Sequence, residues 1–317
     1  MTNKIKIIFF GTPDIGLKSL EHLFYSDRIE VSAVVTQPDK PSGRGNKIHF
    51  SPIKEFAIRN NLPYFQPKSI KKDFDIQKKL KNFEPDFFVT FAYGQILSKE
   101  VLDIPKKGTI NLHASLLPKY RGANPIQCAI VNGEIKTGIT TMLTIEELDA
   151  GDICLSQEIE ITQDMRDVDL CEKVSSLAPD LLYKTLLLLY ENKLQPKKQP
   201  SGASFTCKFE KNVGLIDWSK DALSIHNKIR GLYSWPGCYT FFKGKMIKIT
   251  KSCLSEQSTD KPFGTFLGKA DSGINISTGN NQVLTIVNIK PEGKKEMSAK
   301  DWLNGSQMKI GDTFLNK

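Results

Sequence analysis

The first 36 residues constrain the fold more tightly than any other stretch. Lys4-Ile-Lys-Ile-Ile-Phe-Phe10 is an apolar-dominated run stopped by Gly11-Thr12-Pro13. Ile15, Leu17, Leu20, Leu23 and Phe24 then recur at near-helical spacing, and a second apolar run follows at Ile29 to Thr36. A buried strand, an amphipathic helix and a second buried strand make a βαβ unit, the block from which parallel sheets are assembled. The turn between the first two elements does not carry a nucleotide motif. GTPDIG lacks the Lys that a P-loop needs directly after its second Gly, because Leu17 stands there, and GxGxxG is absent.

The pattern continues along the chain. Ser51-Pro52 predicts a helix start, with a capping hydroxyl and Pro at the first helical position, running to about Asn60. Residues 66–84 are charged and amphipathic. Asp86 to Ala92, Gly108 to His113, Thr137 to Thr144 and Ile153 to Ile161 read as strands. Asn124 to Val131 reads as a short helix and Asp169 to Tyr190 as a long one with a core face. The next stretch is rich in Pro, Lys, Gly and Ser without periodicity, which is a linker signature. Beyond a helix at Ala222 to Leu232, short runs at Gly237 to Phe242, Met246 to Ser252, Gly273 to Ser277 and Gln282 to Ile289 suggest a small β-barrel. The expected division is an α/β domain at 1–190, a linker at 191–207 and a barrel domain at 208–317, in keeping with a length of 317 residues.

Charge is distributed unevenly. Residues 191–317 hold 20 basic against 11 acidic side chains, so the whole excess of +9 lies there, and residues 1–190 are balanced. A lysine-rich solvated surface accounts for this as well as a module that meets a polyanion such as RNA. No apolar run approaches the roughly 18 residues needed to span a bilayer, and the N-terminus lacks the longer h-region of a signal peptide. A cytoplasmic protein is expected. Six cysteines without a CxxC pair point to reduced, mostly buried thiols and to neither structural zinc nor a disulfide framework.

The chemistry is expected between Gly108 and Asp152. Strand alternation puts Asn111 and His113 on one face, at the end of a strand that the Pro- and Gly-rich segment after it cannot continue. Open α/β sheets place their ligands at such strand ends. LDAGD, Leu148 to Asp152, adds the carboxylate of Asp149 in a tight turn. An amide donor, an imidazole and a carboxylate without a protein nucleophile fit direct acyl transfer between two bound substrates. Asn111 and His113 can stabilise an oxyanion, and Asp149 can hold the His tautomer and help remove a proton from the attacking amine. A polar pair at a sheet end also occurs simply to cap strands. His22, His49 and His226 have ordinary surroundings and read as structural. Gln37 to Lys47, QPDKPSGRGNK, is either a plain surface loop or a basic finger that grips a phosphate backbone with Lys40, Arg44 and Lys47.

Together FFGTPDIG, VVTQPDKPSGRG, FAYGQIL, NLHASLLPKYRGANPIQ and LDAGD resemble the methionyl-tRNA formyltransferase family. The resemblance covers almost the whole chain. The N-x-H, SLLP and LDxGD core is similar to that of all 10-formyltetrahydrofolate-dependent transferases and hydrolases, whereas QPDKPSGRG and Ile216 to Gly237 carry the narrower likeness. The resemblance implies a Rossmann-like formyltransferase domain followed by an OB-like barrel that binds tRNA. It implies catalytic roles for Asn111, His113 and Asp149, and a folate-binding segment at Ser115, Leu116, Leu117 and Pro118. It implies an acceptor-end loop around Arg44. The reaction implied moves a formyl group from 10-formyltetrahydrofolate to the α-amino group of initiator methionyl-tRNA, with no metal and with no protein partner called for. Three alternatives are a formyltransferase acting on an amino-sugar nucleotide or other small amine, a formyltetrahydrofolate hydrolase, and a non-catalytic RNA-binding protein. The basic C-terminal part argues against the first and the intact polar trio against the last.

Overall fold

The structure is a computed structural model that describes residues 4–42 and 47–315. Its residues form two compact units, and the division is not a single cut in the chain. The first unit holds residues 1–122, 137–159 and 171–205; the second holds 123–136, 160–170 and 206–317. Two short stretches inside the N-terminal half therefore pack with the C-terminal half. Residues 191–205, which read as a linker, belong to the first unit.

The first unit is built on a seven-stranded sheet. Its strands are β1 (Ile5–Gly11), β2 (Ile29–Val35), β3 (Tyr64–Phe65), β4 (Phe87–Phe91), β5 (Thr109–His113), β6 (Lys136–Leu143) and β7 (Ile153–Glu160), in the order β7-β6-β5-β4-β1-β2-β3. β1 lies parallel to both β2 and β4, β2 is parallel to β3, and β4 to β5. β5 meets β6 antiparallel, so the expected parallel-rich sheet is present with β6 as a reversed strand. The strand order reverses beside β1, and β5 lies two strands away from it with its carboxyl end at the same edge. β1 and β4 are apolar on both faces because helices cover the sheet, and Ile8, Phe10, Phe88 and Val35 are fully buried. The helix Pro52–Arg59 starts where expected: Ser51 Oγ accepts from Lys54 N at 3.2 Å. The long helix spans Asp167–Tyr190, and Leu170, Val174, Ala178, Leu182 and Leu186 recur every four residues along its buried stripe.

The second unit contains an antiparallel sheet of the barrel-like kind expected. Its strands are β8 (Cys238–Phe242), β9 (Lys245–Ser258), β10 (Phe266–Lys269), β11 (Ile274–Ser277) and β12 (Gln282–Pro291), in the order β8-β9-β12-β11-β10. Strand β10 was not foreseen; its FLGK sequence is too short for a period. The two outer strands are linked through the segment after Lys309. Thr313 bridges Thr265 beside β10, Leu315 bridges Phe241 on β8, and Phe314 N donates to Gly264 O at 2.8 Å. These bonds satisfy both exposed edges. Phe314 stacks on Trp218 at 5.8 Å and on Trp302 at 6.0 Å inside this enclosure, while Trp218 Nε1 donates to Thr240 Oγ1 at 3.0 Å. A buried Trp needs such a partner for its N–H. Only Cys154 and Cys238 of the six thiols are buried, fewer than expected, and Cys207 is exposed.

Candidate active site

β5 brings Asn111 and His113 to the carboxyl edge of the sheet, two positions apart and hence on one face. Asn111 is half-buried. Its Oδ1 accepts from Thr90 Oγ1 on the neighbouring β4 at 2.7 Å. That bond consumes the acceptor end of the amide and settles its orientation. Asn111 Nδ2, the donor end, has no protein partner among the described residues. Thr90 was missed in the sequence, although a hydroxyl inside DFFVTFA was the one polar break in an apolar strand.

His113 is buried and held by a backbone group. Nε2 lies 2.8 Å from the carbonyl oxygen of Tyr120, which can only accept, so Nε2 carries a hydrogen. Nδ1 then faces Asp149 Oδ2 at 3.6 Å. The Tyr120 carbonyl, rather than Asp149, fixes the tautomer. Asp149 itself sits in left-handed backbone, φ 50°, in the turn between β6 and β7, and its Oδ2 accepts from Gly122 N at 2.8 Å. Gly122 presents that N–H with φ 102°, a conformation that a side chain would strain. Gly151, two residues past Asp149, allows the turn to fold tightly: a Cβ there would lie 1.7 Å from Leu143 O. Imidazole, carboxylate and a backbone N–H thus converge within one turn of chain after β5 and one after β6. Tyr120 and Gly122 act through main-chain atoms, and side-chain motifs cannot reveal such roles.

The expected folate segment is divided in orientation. Ser115 is fully buried, and its Oγ donates to Lys119 O at 2.6 Å. Thr140 Oγ1 on β6 donates to Ser115 O at 2.7 Å and accepts from Leu117 N at 3.3 Å. Leu117 is buried, whereas Leu116 and Pro118 are half-exposed. The segment is a ledge pinned to β6, with Leu116 and Pro118 as its partly exposed apolar side chains and Leu116 lying over Gly138 of β6.

Lys40–Ser42 and Lys47–His49 pair antiparallel, Lys40 with His49 and Ser42 with Lys47. Lys40 is exposed, Lys47 begins the second of these strands, and Arg44 lies outside the described residues. A brace holds the base of the first. Buried Lys54 forms an ion pair with Asp39, and its ammonium lies 3.9 Å from the Phe50 ring centroid. Gln66 Nε2 donates to Asp39 Oδ1 and to Gln37 O, both at 2.9 Å. Desolvation raises the pKa of Asp39, but its bonds to Lys54 and Gln66 and the Lys54 charge outweigh it and hold the carboxyl below the ordinary range.

The remaining histidines stand apart from this site. His226 is buried in the second unit with both nitrogens bonded, Nε2 donating to Gln163 O at 3.1 Å and Nδ1 accepting from Ser252 Oγ at 3.0 Å. Burial holds its pKa below the usual value; the Gln163 carbonyl opposes this and the Arg230 charge adds to it. Among the described residues no group of three His, Cys, Asp or Glu side chains is placed to hold a metal, and no helix is long and apolar enough to cross a membrane.

Comparison with known proteins gives the family and the fold. Residues 3–186 fit the formyl transferase family model and residues 208–307 the model of the formyl transferase C-terminal domain. A methionyl-tRNA formyltransferase of Clostridium novyi is 42% identical over 96% of this chain and 98% of its own length. That of Caldanaerobacter subterraneus subsp. tengcongensis is 44% identical over 97% and 99%. An N-formyltransferase of Helicobacter canadensis, solved with folinic acid and dTDP-3-aminofucose, superposes with a TM-score of 0.66, covering 89% of this chain and 99% of that one. At 20% identity this last likeness is one of fold.

Proposed function

Since the chain belongs to the formyl transferase family, among relatives that are methionyl-tRNA formyltransferases, we propose that Asn111, His113 and Asp149 carry formyl transfer to the α-amino group of initiator methionyl-tRNA. The enzyme is a formyltransferase of translation initiation. The donor is 10-formyltetrahydrofolate, which supplies the formyl carbon when bound. The observation that carries the site assignment is the half-exposed Asn111 amide, its carbonyl tied to Thr90 and its Nδ2 open, on the same face as the His113–Asp149 pair. That donor set suits a formyl carbonyl, whose oxygen needs a hydrogen-bond donor as negative charge gathers on it.

Each residue has one task. Asn111 Nδ2 donates to the formyl oxygen, and its fixed orientation means that no reorganisation is needed as charge develops. His113 Nδ1 is the ring atom left to handle a proton, because Nε2–H is engaged by Tyr120 O. Asp149 Oδ2 faces Nδ1 at 3.6 Å, and the Gly122 N–H keeps the carboxylate in place. The attacking amine loses a proton as its bond to the formyl carbon forms; this pair receives it directly or through water, and a proton returns to N10 of the folate as the N10–formyl bond breaks and tetrahydrofolate leaves. Leu116 and Pro118 offer the folate apolar surface, while Ser115 and Leu117 shape the ledge beneath them. Lys40 and Lys47, together with Arg44, engage the tRNA backbone near its acceptor end, and the basic residues 208–317 supply the wider polyanion surface. The reaction takes place in the cytoplasm, where charged tRNA is made.

The direct test is to incubate the purified protein with 10-formyltetrahydrofolate and charged initiator or elongator methionyl-tRNA and to assay formylmethionine. Formylation of the initiator species, lost by on the order of 100-fold or more in Asn111→Ala, is the expected outcome. Formylation of an amino-sugar nucleotide instead would replace the acceptor, and full activity of Asn111→Ala would remove the site assignment.

A further inference from the structure

Residues 191–205 have the composition of a tether, yet two of their side chains are tied to the catalytic loops. Gln199 Nε2 donates to Asp149 O at 2.8 Å and to Gly151 O at 2.9 Å, so one amide holds both carbonyls of the LDAGD turn. Gln199 Oε1 accepts from Arg121 Nε at 3.1 Å and from an Arg121 terminal nitrogen at 2.8 Å. Arg121 is buried and lies one residue before Gly122, whose N–H binds the Asp149 carboxylate. Five residues on, Ser204 Oγ accepts from Tyr120 N at 2.8 Å and Ser204 O accepts from Arg121 N at 2.8 Å. Tyr120 is the residue whose carbonyl orients His113.

The two loops that carry the pair approach from different parts of the chain, residues 114–122 from β5 and residues 144–152 from β6. Arg121–Gly122 pairs as a short strand with Phe205–Thr206 and not with the Asp149 turn, and two direct contacts cross between the loops, Gly122 N to Asp149 Oδ2 at 2.8 Å and Arg121 to Glu147 Oε1 at 3.4 Å. Gln199 joins them with all of its polar atoms: its donor end holds the Asp149 turn and its acceptor end holds the arginine beside Tyr120 and Gly122. Asp149 in left-handed backbone is a strained position of the sort that persists only where surrounding contacts over-determine it.

We propose that Gln199 and Ser204 are positioning residues for formyl transfer, a clamp that sets the separation of His113 and Asp149 from outside the catalytic motifs. The segment between the two sequence-defined halves is on this reading a working part of the active site. The inference rests on the assignment of His113 and Asp149 as catalytic.

The test compares Gln199→Met, which keeps length and removes every polar atom, with Gln199→Glu, which keeps the acceptor for Arg121 and loses the donor to the two carbonyls. Both should lower kcat by on the order of tenfold, the factor carried by one hydrogen bond of ordinary net strength, with KM for 10-formyltetrahydrofolate and for methionyl-tRNA unchanged. Ser204→Ala should lower kcat in the same pattern. Full activity of Gln199→Glu beside a slow Gln199→Met would reduce Gln199 to a partner of Arg121 and overturn the clamp. If Gln199→Met and Gln199→Glu both keep wild-type kcat while His113→Ala and Asn111→Ala are inactive, the clamp is wrong and the catalytic assignment stands. If His113→Ala is itself fully active, the assignment falls and the clamp falls with it. Should Gln199→Met fail to fold, Gln199→Glu still decides, because it preserves the buried arginine's partner.

Discussion

Replacing Thr90 by Val tests how the Asn111 amide is oriented. The two side chains have nearly the same shape, so the substitution removes one hydroxyl from a position 7% exposed and leaves the packing of β4 in place. The lost bond is a 2.7 Å contact to Asn111 Oδ1. An unpaired, half-buried carbonyl oxygen costs about 1–3 kcal/mol, which sets the expected fall in stability by urea denaturation. The rate effect is smaller than loss of Asn111 itself. The hydroxyl's net preference for one amide orientation is about 1–1.5 kcal/mol, so removing it lowers kcat by up to about tenfold. Asn111→Ala, by contrast, removes a donor worth roughly 3–4 kcal/mol, or about 100- to 1000-fold. Single-turnover formylation under saturating substrates measures both, and Thr90→Ser should restore most of the rate because its hydroxyl can reach the same acceptor. An unchanged kcat in Thr90→Val would refute the orientation argument. A loss as large as that of Asn111→Ala would make Thr90 a reacting group in its own right.

Other perturbations probe the supports of the site. Lys54→Met leaves Asp39 without its cation; breaking a buried pair costs about 3–5 kcal/mol, and because Asp39 keeps 20% side-chain exposure the fall should lie at the low end. The same variant should raise KM for methionyl-tRNA and leave KM for the formyl donor alone, since the brace holds the strand that carries Lys40 and not the folate ledge. His226 resists protonation in the folded state, so stability is complete above about pH 6.5, the unfolded value, and declines as pH falls below it because the unfolded chain takes up the proton. Urea midpoints measured from pH 7 to pH 5 should show this decline, and His226→Gln should flatten it. Gly151→Ala must displace the Leu143 carbonyl or the turn; kcat should drop without loss of tRNA affinity, as binding and rate assays on one preparation will show. Raising salt from 50 to 200 mM should increase KM for tRNA several-fold or more while KM for the formyl donor barely moves; parallel responses would contradict a phosphate-backbone interface.

The first domain was legible because its signals are local. β1, the following helix and β2 each announce themselves by period, and Ser51-Pro52 marks the next helix by a capping bond that forms within four residues. The N-x-H spacing on β5 is equally local, since alternation alone puts Asn111 and His113 on one face. β3 and β10 were not legible, having two and four residues in which no period can be read. Nor were residues 123–136 and 160–170 recognisable as parts of the second unit. Their membership depends on contacts such as Gly231, where a Cβ would lie 2.8 Å from the Val131 side chain, and such contacts leave no mark on composition.

Sequence alone determined the fold class, the family resemblance, Asn111 and His113 at a strand end and Asp149 in a turn, because periodicity and motif spacing are properties of neighbouring residues. Tertiary structure decided how those side chains are aimed. Thr90 turned the Asn111 amide, the Tyr120 carbonyl chose the His113 tautomer, the Gly122 N–H anchored Asp149, and Gln199 tied the two loops together from a segment composed like a tether. Each of these is a hydrogen bond between groups distant along the chain or made through the main chain. Direction and distance at that scale are set by where the backbone ends up, and they exist only once the chain has folded.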